Sequence, residues 1–185
     1  MNKLMMKLTI GTEVVFFACL IVAYLYFWRD GHFQKQVATA LHPGKTAVFT
    51  GLLVLSSGSF YLAEKAYRSL SNEMVKIFLG ATLLLGLIFL VGQAREYYNL
   101  VSSGITISKT EFGSSFFTLT GFHALHVLIG LVVISIIWVL VLNDKFGTHR
   151  QDVLATAGLY WHFVDAVWLC VFTVIYLLPY LINAS

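Results

Sequence analysis

Charge is scarce in this chain of 185 residues, since Asp, Glu, Lys and Arg make up only 11% of it. A soluble domain carries roughly a quarter charged residues, whereas 58% of this chain is hydrophobic. So much apolar surface needs lipid as its solvent. The low charge excludes an ordinary soluble domain, and the lack of a basic run argues against nucleic acid as a partner.

Cysteine and proline are also scarce, with two residues of each. Cys19 and Cys170 both lie in apolar runs, so they are predicted to be small packing residues. Pro43 belongs to the polar segment 29–45, which is predicted to be a loop. Pro179 is predicted to kink or end the last helix, because proline removes a backbone N–H donor. The chain has no internal repeat and no low-complexity tract.

Long apolar runs are what the chain does have. A membrane-spanning helix takes about 20 mainly apolar residues, so the pattern predicts an all-α integral membrane protein. Its connecting segments are short, which predicts one domain, residues 1–185, built as a bundle of five transmembrane helices. The approximate spans are residues 8–28, 46–63, 77–94, 112–142 and 153–181. The last two are longer than the bilayer core needs and are expected to tilt or protrude.

The distribution of lysine and arginine predicts the orientation of the chain. Five spans place the termini on opposite sides of the membrane. Seven of the cations fall on the side of the N-terminus, namely Lys3, Lys7, Lys65, Arg68, Lys76, Lys145 and Arg150. Five fall on the opposite side, namely Arg29, Lys35, Lys45, Arg95 and Lys109. Because cytoplasmic loops carry the excess of positive charge, the N-terminus is predicted to be cytoplasmic and the C-terminus outside.

Ionisable residues inside the spans are the candidate functional residues, since they are costly at bilayer depth and face a partner or a cavity. Glu13 is the acidic residue of the first span. It is interpreted either as a carboxyl with a role in proton uptake or lipid contact, or as a hydrogen-bonded helix-packing group. The residues alone leave both interpretations open.

His123 and His126 lie three residues apart and therefore on one face of the fourth span. Two histidines of one helix cannot take opposite axial positions of one haem, so a haem would need His162 from another span. A di-iron carboxylate site would need Glu-x-x-His pairs, which the sequence lacks. We interpret the two histidines as interhelical hydrogen-bonding residues.

Three further polar residues complete a predicted structural network. His162 and Asp165 are three residues apart in the fifth span, so a hydrogen bond between them is plausible on one helix face. His126 and Asp165 fall at similar membrane depth, which predicts an interhelical contact. Glu96 follows Arg95 near the outer end of the third span, and it either stays at the interface or pairs inward with a neighbouring helix.

Four stretches around these residues resemble the haem-copper oxidase subunit III family. They follow in that family's order along nearly the whole chain: "TEVVFF" (12–17), "QAREYY" (93–98), "FGSSFFTLTGFHALHVLIG" (112–130) and "YWHFVDAVWL" (160–169). The chain is similar to the short, five-helix bacterial form, which lacks the first two helices of larger members. Arg95 and Ala124 depart from the residues that are usual in the family.

The resemblance implies an accessory, non-catalytic subunit of a respiratory terminal oxidase in the bacterial inner membrane. No catalytic residue, metal site or cofactor site is expected on this chain, and the haem and copper belong to the catalytic subunit I beside it. Subunit II, further respiratory subunits and membrane lipid are the other expected partners. The complex would reduce O2 to water and conserve energy as a proton gradient. The subunit would stabilise the catalytic core, support proton uptake and hold structural phospholipid.

The resemblance also assigns residues. Glu13 matches the family's intramembrane glutamate, and the pairs His123 with His126 and His162 with Asp165 match its histidine and last-helix pairs. A cytochrome c oxidase is the expected complex, with a quinol oxidase or a nitric oxide reductase-type complex as the alternative. Other hypotheses are a haem-binding membrane cytochrome or a proton-coupled transporter that uses Glu13 and Asp165. Against the transporter, the chain has neither repeats nor a pair of broken helices.

Overall fold

A computed structural model of the chain describes residues 3–41, 43–146, 151–179 and 181. The regular structure in these ranges is helical throughout, which confirms the all-α prediction. The helices are α1 (Lys3–Phe27), α2 (Gly31–Ala40), α3 (Pro43–Arg68), α4 (Asn72–Ser102), α5 (Glu111–Leu142) and α6 (Gln151–Phe172). A π-helical turn, Thr173–Leu177, continues α6.

Five of these helices are long and apolar enough to cross a membrane, as predicted. The candidate spans are Leu4–Phe27, Pro43–Arg68, Asn72–Ser102, Glu111–Leu142 and Gln151–Leu177. At a rise of about 1.5 Å per residue, the 32 residues of α5 are longer than a hydrocarbon core of about 30 Å requires. Large apolar side chains cover the outside of the bundle, and Cys19 and Cys170 are among the exposed residues. The two cysteines, which the sequence predicted to be small packing residues, thus lie on the surface of the bundle.

The segment 29–45 is not a loop, because most of it forms α2. Phe33, Val37 and Leu41 recur every four residues and are buried. The Phe33 ring packs edge-on against Tyr24 of α1 and Phe112 of α5, with ring centroids 5.3 and 5.6 Å apart. With ten residues, α2 is too short to span a bilayer. It covers one end of the bundle, where α1 ends and α5 begins.

The turns between the long helices follow from local chemistry. Leu70 takes a left-handed conformation, with φ of 56°, so the chain reverses sharply between α3 and α4. These two helices lie antiparallel and make the most extensive helix pair in the bundle. Thr110 caps α5, since its Oγ1 accepts the Gly113 N–H at 2.9 Å and so satisfies one of the free donors at the start of the helix.

The core lies where α6 meets α3, α4 and α5. Trp161 and Trp168 of α6 are fully buried. Gly86 of α4 and Gly130 of α5 make room for Trp161, because a Cβ atom at either position would lie 3.1 or 2.8 Å from its indole ring. Lipid supplies no hydrophobic drive between helices, so such close packing is what holds a membrane bundle together.

Pro179 affects the last helix through a change of helix type. The π-helical turn Thr173–Leu177 comes just before it, and the Leu178 N–H donates to the Thr173 carbonyl five residues earlier. Proline in a helix removes a donor and crowds the carbonyl four residues before it. A π turn absorbs that disturbance without ending the helix.

Candidate functional site

Glu13 of α1 pairs with His126 of α5. The Glu13 Oε2 and His126 Nε2 atoms are 3.2 Å apart, and the two side chains are 29% and 14% exposed. The Phe17 ring lies edge-on to His126 at a centroid distance of 5.1 Å. The pair therefore joins α1 to α5 from a half-buried position on the side of the bundle.

A hydrogen bond between Glu13 and His126 places a requirement on their hydrogen atoms. His126 Nδ1 lies 2.7 Å from the Phe122 carbonyl oxygen, which can only accept, so Nδ1 carries a hydrogen. In a neutral imidazole the other nitrogen, Nε2, is then an acceptor, and an ionised carboxylate is also an acceptor. A hydrogen bond between Nε2 and Glu13 therefore needs one additional proton, held either by the carboxyl group or by Nε2.

The hydroxyl of Tyr160 ties α6 to the same place. It donates to the backbone carbonyl of His126 across 3.1 Å. Three helices, α1, α5 and α6, therefore meet at one polar cluster, formed by Glu13, His126 and Tyr160, in an otherwise apolar surface. A carboxyl group and an imidazole within hydrogen-bond distance are groups that can hold a proton and pass it to a neighbour.

His123 has no such partner. It is 1% exposed, and neither ring nitrogen makes a hydrogen bond within the part of the chain that the structure describes. Its ring stacks on Trp168, with centroids 4.8 Å apart, and lies edge-on to Phe89 and Phe17. The prediction that His123 forms an interhelical hydrogen bond is therefore wrong, because the ring packs between aromatic groups instead.

The predicted contacts of Asp165 are wrong too. Asp165 is buried, and within the described ranges neither carboxyl oxygen makes a hydrogen bond. His126 contacts Glu13 instead, and the Nδ1 atom of His162 lies 2.5 Å from the Ser57 hydroxyl of α3. Similar membrane depth and i, i+3 spacing did not predict the contacts of these side chains. His126 contacts α1 and His162 contacts α3, so neither histidine bonds to Asp165.

Glu96 lies inside the bundle near its other end and links three elements. Its carboxylate accepts from the Tyr176 hydroxyl at 2.9 Å and from the Thr46 hydroxyl at 3.3 Å. Tyr176 belongs to the π-helical turn and Thr46 to the first turn of α3. The next residue of α4, Tyr97, joins α4 to α5, since its hydroxyl lies 2.7 Å from the Thr120 hydroxyl.

Hydroxyl groups of α3 form contacts that the sequence interpretation missed. The indole Nε1 of Trp168 donates to Thr50 Oγ1 at 3.0 Å, and that of Trp161 donates to Ser56 Oγ at 3.2 Å. The Ser57 hydroxyl likewise contacts His162 of α6. Thr50 and Ser57 are seven residues apart, as are Trp161 and Trp168, and this shared spacing would have predicted one polar face of α3.

The described residues contain no group of three or more His, Cys, Asp or Glu side chains placed to hold a metal ion. A haem iron bound to Nε2 of His126 would replace the contact of that atom with Glu13. Among the predicted site residues, the structure brings Glu13 together with His126, and it places Glu96 beside the Tyr176 hydroxyl.

Comparison with known proteins gives a match along almost the entire chain. The family model described as cytochrome c oxidase subunit III matches residues 2–180. A cytochrome c oxidase subunit 3 of Corynebacterium diphtheriae is 36% identical over 176 residues, covering 90% of this chain and 83% of the relative. A cytochrome bo(3) ubiquinol oxidase subunit 3 of Pseudomonas aeruginosa is 38% identical over 175 residues, covering 90% and 80%. The human cytochrome c oxidase subunit 3 is 36% identical over 181 residues, covering 92% and 67%.

Proposed function

Because the chain belongs to the cytochrome c oxidase subunit III family, we propose that it is the accessory, non-redox subunit of a respiratory terminal oxidase that reduces O2 to water. The observation that carries this proposal is the family match over residues 2–180. In this role the chain binds no haem or copper itself. It packs against the catalytic subunit, beside subunit II and membrane lipid, and stabilises the catalytic core.

We propose that residues 1–185 form a single five-helix domain of the bacterial inner membrane, with the N-terminus in the cytoplasm. The lysine and arginine bias supports this orientation. It can be tested with an impermeant thiol reagent on intact cells after Cys19 and Cys170 are replaced by serine. Ile107→Cys should be labelled and Leu70→Cys should not, since both side chains are exposed but lie at opposite ends of the bundle. The reverse labelling would refute the orientation.

Co-purification tests the function itself. An affinity tag on this chain should recover a haem-bearing partner, and the chain separated from that partner should show no Soret absorption. A chain that purifies alone and carries its own Soret band would instead be a membrane cytochrome. Transport by the chain alone in vesicles would favour the transporter hypothesis.

The electron donor has two candidates, because relatives of similar identity are named cytochrome c oxidase and ubiquinol oxidase subunits. We propose cytochrome c, in keeping with most of the relatives. Oxygen consumption by the recovered complex should then require reduced cytochrome c. Consumption that requires ubiquinol instead would assign the chain to a quinol oxidase.

We propose further that Glu13, through the proton it shares with His126, supports proton uptake by the complex. Glu13→Ala should leave assembly largely intact, since losing one partly buried hydrogen bond costs only about 1 kcal/mol. Turnover, or its durability, should fall, by less than the factor of about 100 that the loss of a directly catalytic proton-transfer group causes. The fall should be largest at high pH, where protons are scarcest. Oxygen consumption by the purified complex across a pH series measures this.

Glu13→Gln separates a proton role from a packing role. The glutamine amide can donate to His126 Nε2 and so keep the hydrogen bond, but it offers no exchangeable acidic proton. A proton role predicts that Glu13→Gln behaves like Glu13→Ala. If Glu13→Gln instead behaves like the unaltered chain, the pair is structural. Cys19→Ser, on the exposed side of α1, is the matched control and should change nothing.

A further inference from the structure

Asp165 of α6 is a buried carboxylic acid that has no part in the proposed function. It is 4% exposed, and neither of its oxygen atoms makes a hydrogen bond within the part of the chain that the structure describes. Buried polar groups in proteins nearly always bond to another protein group or to ordered water, because leaving one without a partner costs free energy. The carboxyl group of Asp165 therefore needs a partner other than the described side chains around it.

Two contacts between α3 and α6 lie on either side of Asp165. One turn before it, His162 Nδ1 lies 2.5 Å from the Ser57 hydroxyl. One turn after it, the Trp168 indole donates to Thr50 Oγ1 at 3.0 Å. The spacing of three residues puts Asp165 on the same side of α6, so its carboxyl group lies at the interface with α3. Ser57 is close enough to act on this carboxyl group, but the two groups do not have the geometry of a direct hydrogen bond.

The hydrogen atoms at this interface leave Asp165 without a partner in either arrangement of His162. A serine hydroxyl has a single hydrogen. If Ser57 donates it to His162 Nδ1, none is left for the carboxyl group. If Nδ1 carries the hydrogen and donates to Ser57, the serine hydrogen is free, but the geometry still prevents a direct bond to Asp165. A small molecule that both donates and accepts completes the hydrogen bonding in both arrangements, and water does both.

Size and burial also favour water. Trp161 and Trp168, one turn to either side of Asp165, are fully buried indoles. Between them the interface carries the short side chains of Asp165 and Ser57, which leave room for a molecule of the size of water. A side chain of another subunit does not reach a carboxyl group that is 4% exposed.

A metal cation suits the interface less well than water does. Ca²⁺ and Mg²⁺ take about six or more oxygen ligands. The described part of the chain has no group of three or more His, Cys, Asp or Glu side chains placed to hold a metal ion. A buried water needs only about two to four polar partners, and Asp165 and Ser57 supply two.

We propose that one buried water molecule binds at the interface of α3 and α6 and bridges Asp165 and Ser57. It completes a chain of hydrogen bonds that runs from Asp165 through the water and Ser57 to His162. The link between Asp165 and His162 is then indirect, through α3 and the water. Hydrogen bonds between helices help to hold a bundle together in lipid. The site goes beyond the proposed respiratory role and does not depend on it.

An electron cryomicroscopy map of the purified complex, at a resolution that shows ordered water, tests the proposal directly. A density peak should lie within about 2.5–3.2 Å of both an Asp165 carboxyl oxygen and Ser57 Oγ. A direct bond from Asp165 to Ser57 or His162, with no such peak, would overturn the proposal. A peak surrounded by about six or more oxygen atoms would show a metal cation instead.

Hydroxyl-radical footprinting of the same complex gives a second readout. X-rays produce the radicals from water, and a bound water oxidises the side chains next to it, which mass spectrometry then locates. Trp168 is fully buried, so bulk water does not reach its ring, and its oxidation reports water inside the bundle. The unaltered chain should be oxidised at Trp168.

Variants assign this oxidation to the proposed site. Asp165→Leu should abolish the oxidation of Trp168, because it removes one partner of the water and fills the space. Asp165→Asn should keep it, since an amide still bonds to water, and Ser57→Ala should lower it. The matched control is Asp152→Leu, which removes a carboxyl group from the exposed start of α6 and should leave the oxidation of Trp168 unchanged.

Three footprinting results would overturn the proposal. No oxidation of Trp168 in the unaltered chain would mean that no water lies beside it. Oxidation that persists in Asp165→Leu would place the water elsewhere, such as beside the buried ring of His123. Unchanged oxidation in Ser57→Ala would remove Ser57 from the site, and this variant and the map decide the matter if Asp165→Leu does not assemble.

Discussion

Replacing Trp161 with alanine should lower the free energy of unfolding by about 3–5 kcal/mol, the usual cost of deleting a buried tryptophan side chain. Trp161 is fully buried and lies between Gly86 of α4 and Gly130 of α5. Its Nε1 also donates to Ser56 of α3. One side chain therefore packs four helices together, and its loss leaves a cavity that none of them can close alone.

Unfolding in mixed micelles of a mild detergent and sodium dodecyl sulfate, followed by circular dichroism, measures this effect. Trp161→Phe keeps part of the ring packing but loses the hydrogen bond to Ser56, so it should cost less. Tyr98→Ala is the control, since Tyr98 is an aromatic residue that is 74% exposed, and it should change little. A loss below about 0.5 kcal/mol for Trp161→Ala, the usual range of surface substitutions, would contradict the close packing around α6.

Gly130→Ala provides a second test of the same contact. In the unaltered chain the added Cβ would lie 2.8 Å from the Trp161 ring and should destabilise the bundle. In the Trp161→Ala background the ring is gone, so the same substitution should cost nothing or fill part of the cavity. The two changes should therefore be clearly non-additive, as is usual for residues in contact. Additive changes in the free energy of unfolding would show that Gly130 and Trp161 are not energetically coupled.

Replacing Glu96 with alanine should destabilise the chain by about 2–3 kcal/mol, because a charged acceptor is removed from buried donors. The Tyr176 hydroxyl, on a side chain that is 2% exposed, loses its 2.9 Å partner. Thr46 loses its bond to the carboxylate as well. The same unfolding measurement in detergent applies. The destabilisation should arise from the lost contact between α3, α4 and the π-helical turn.

Conservative variants separate the hydrogen bond from the volume of the side chain. Glu96→Gln keeps an acceptor oxygen and should lose less than half as much as Glu96→Ala. Tyr176→Phe removes the donor, and Glu96→Ala should then cost less in that background than in the unaltered chain. Equal costs in both backgrounds would mean that Tyr176 and Glu96 are not energetically coupled.

Both predictions concern polar or aromatic groups that fasten helices, whereas the functional proposals concern the outside of the bundle. The Glu13–His126 pair, on which the proposed role in proton uptake rests, is half-buried on the side of the bundle. The proposed accessory role needs a stable interior together with chemistry at the periphery.

Some of the site could have been predicted from sequence alone. Glu13, His126 and Glu96 stand out because ionisable residues are rare at bilayer depth. The α2 helix was also within reach, since Phe33, Val37 and Leu41 follow a helical period that outweighs the polar residues between them. The partners of the polar residues were not within reach. His126 pairs with Glu13 from a helix 113 positions earlier in the chain, and no local pattern encodes that contact.

The sequence by itself determined that the chain is built of five long apolar helices, because their length and composition suit only a bilayer. It also determined the family, through motifs spread over nearly the whole chain. Only the tertiary structure decided which face of each helix points inward. In a soluble helix the apolar face marks the core, but a membrane helix is apolar on the lipid side as well, so periodicity does not tell the two sides apart. Rotation about the helix axis therefore placed His123 against Trp168 and His126 against Glu13.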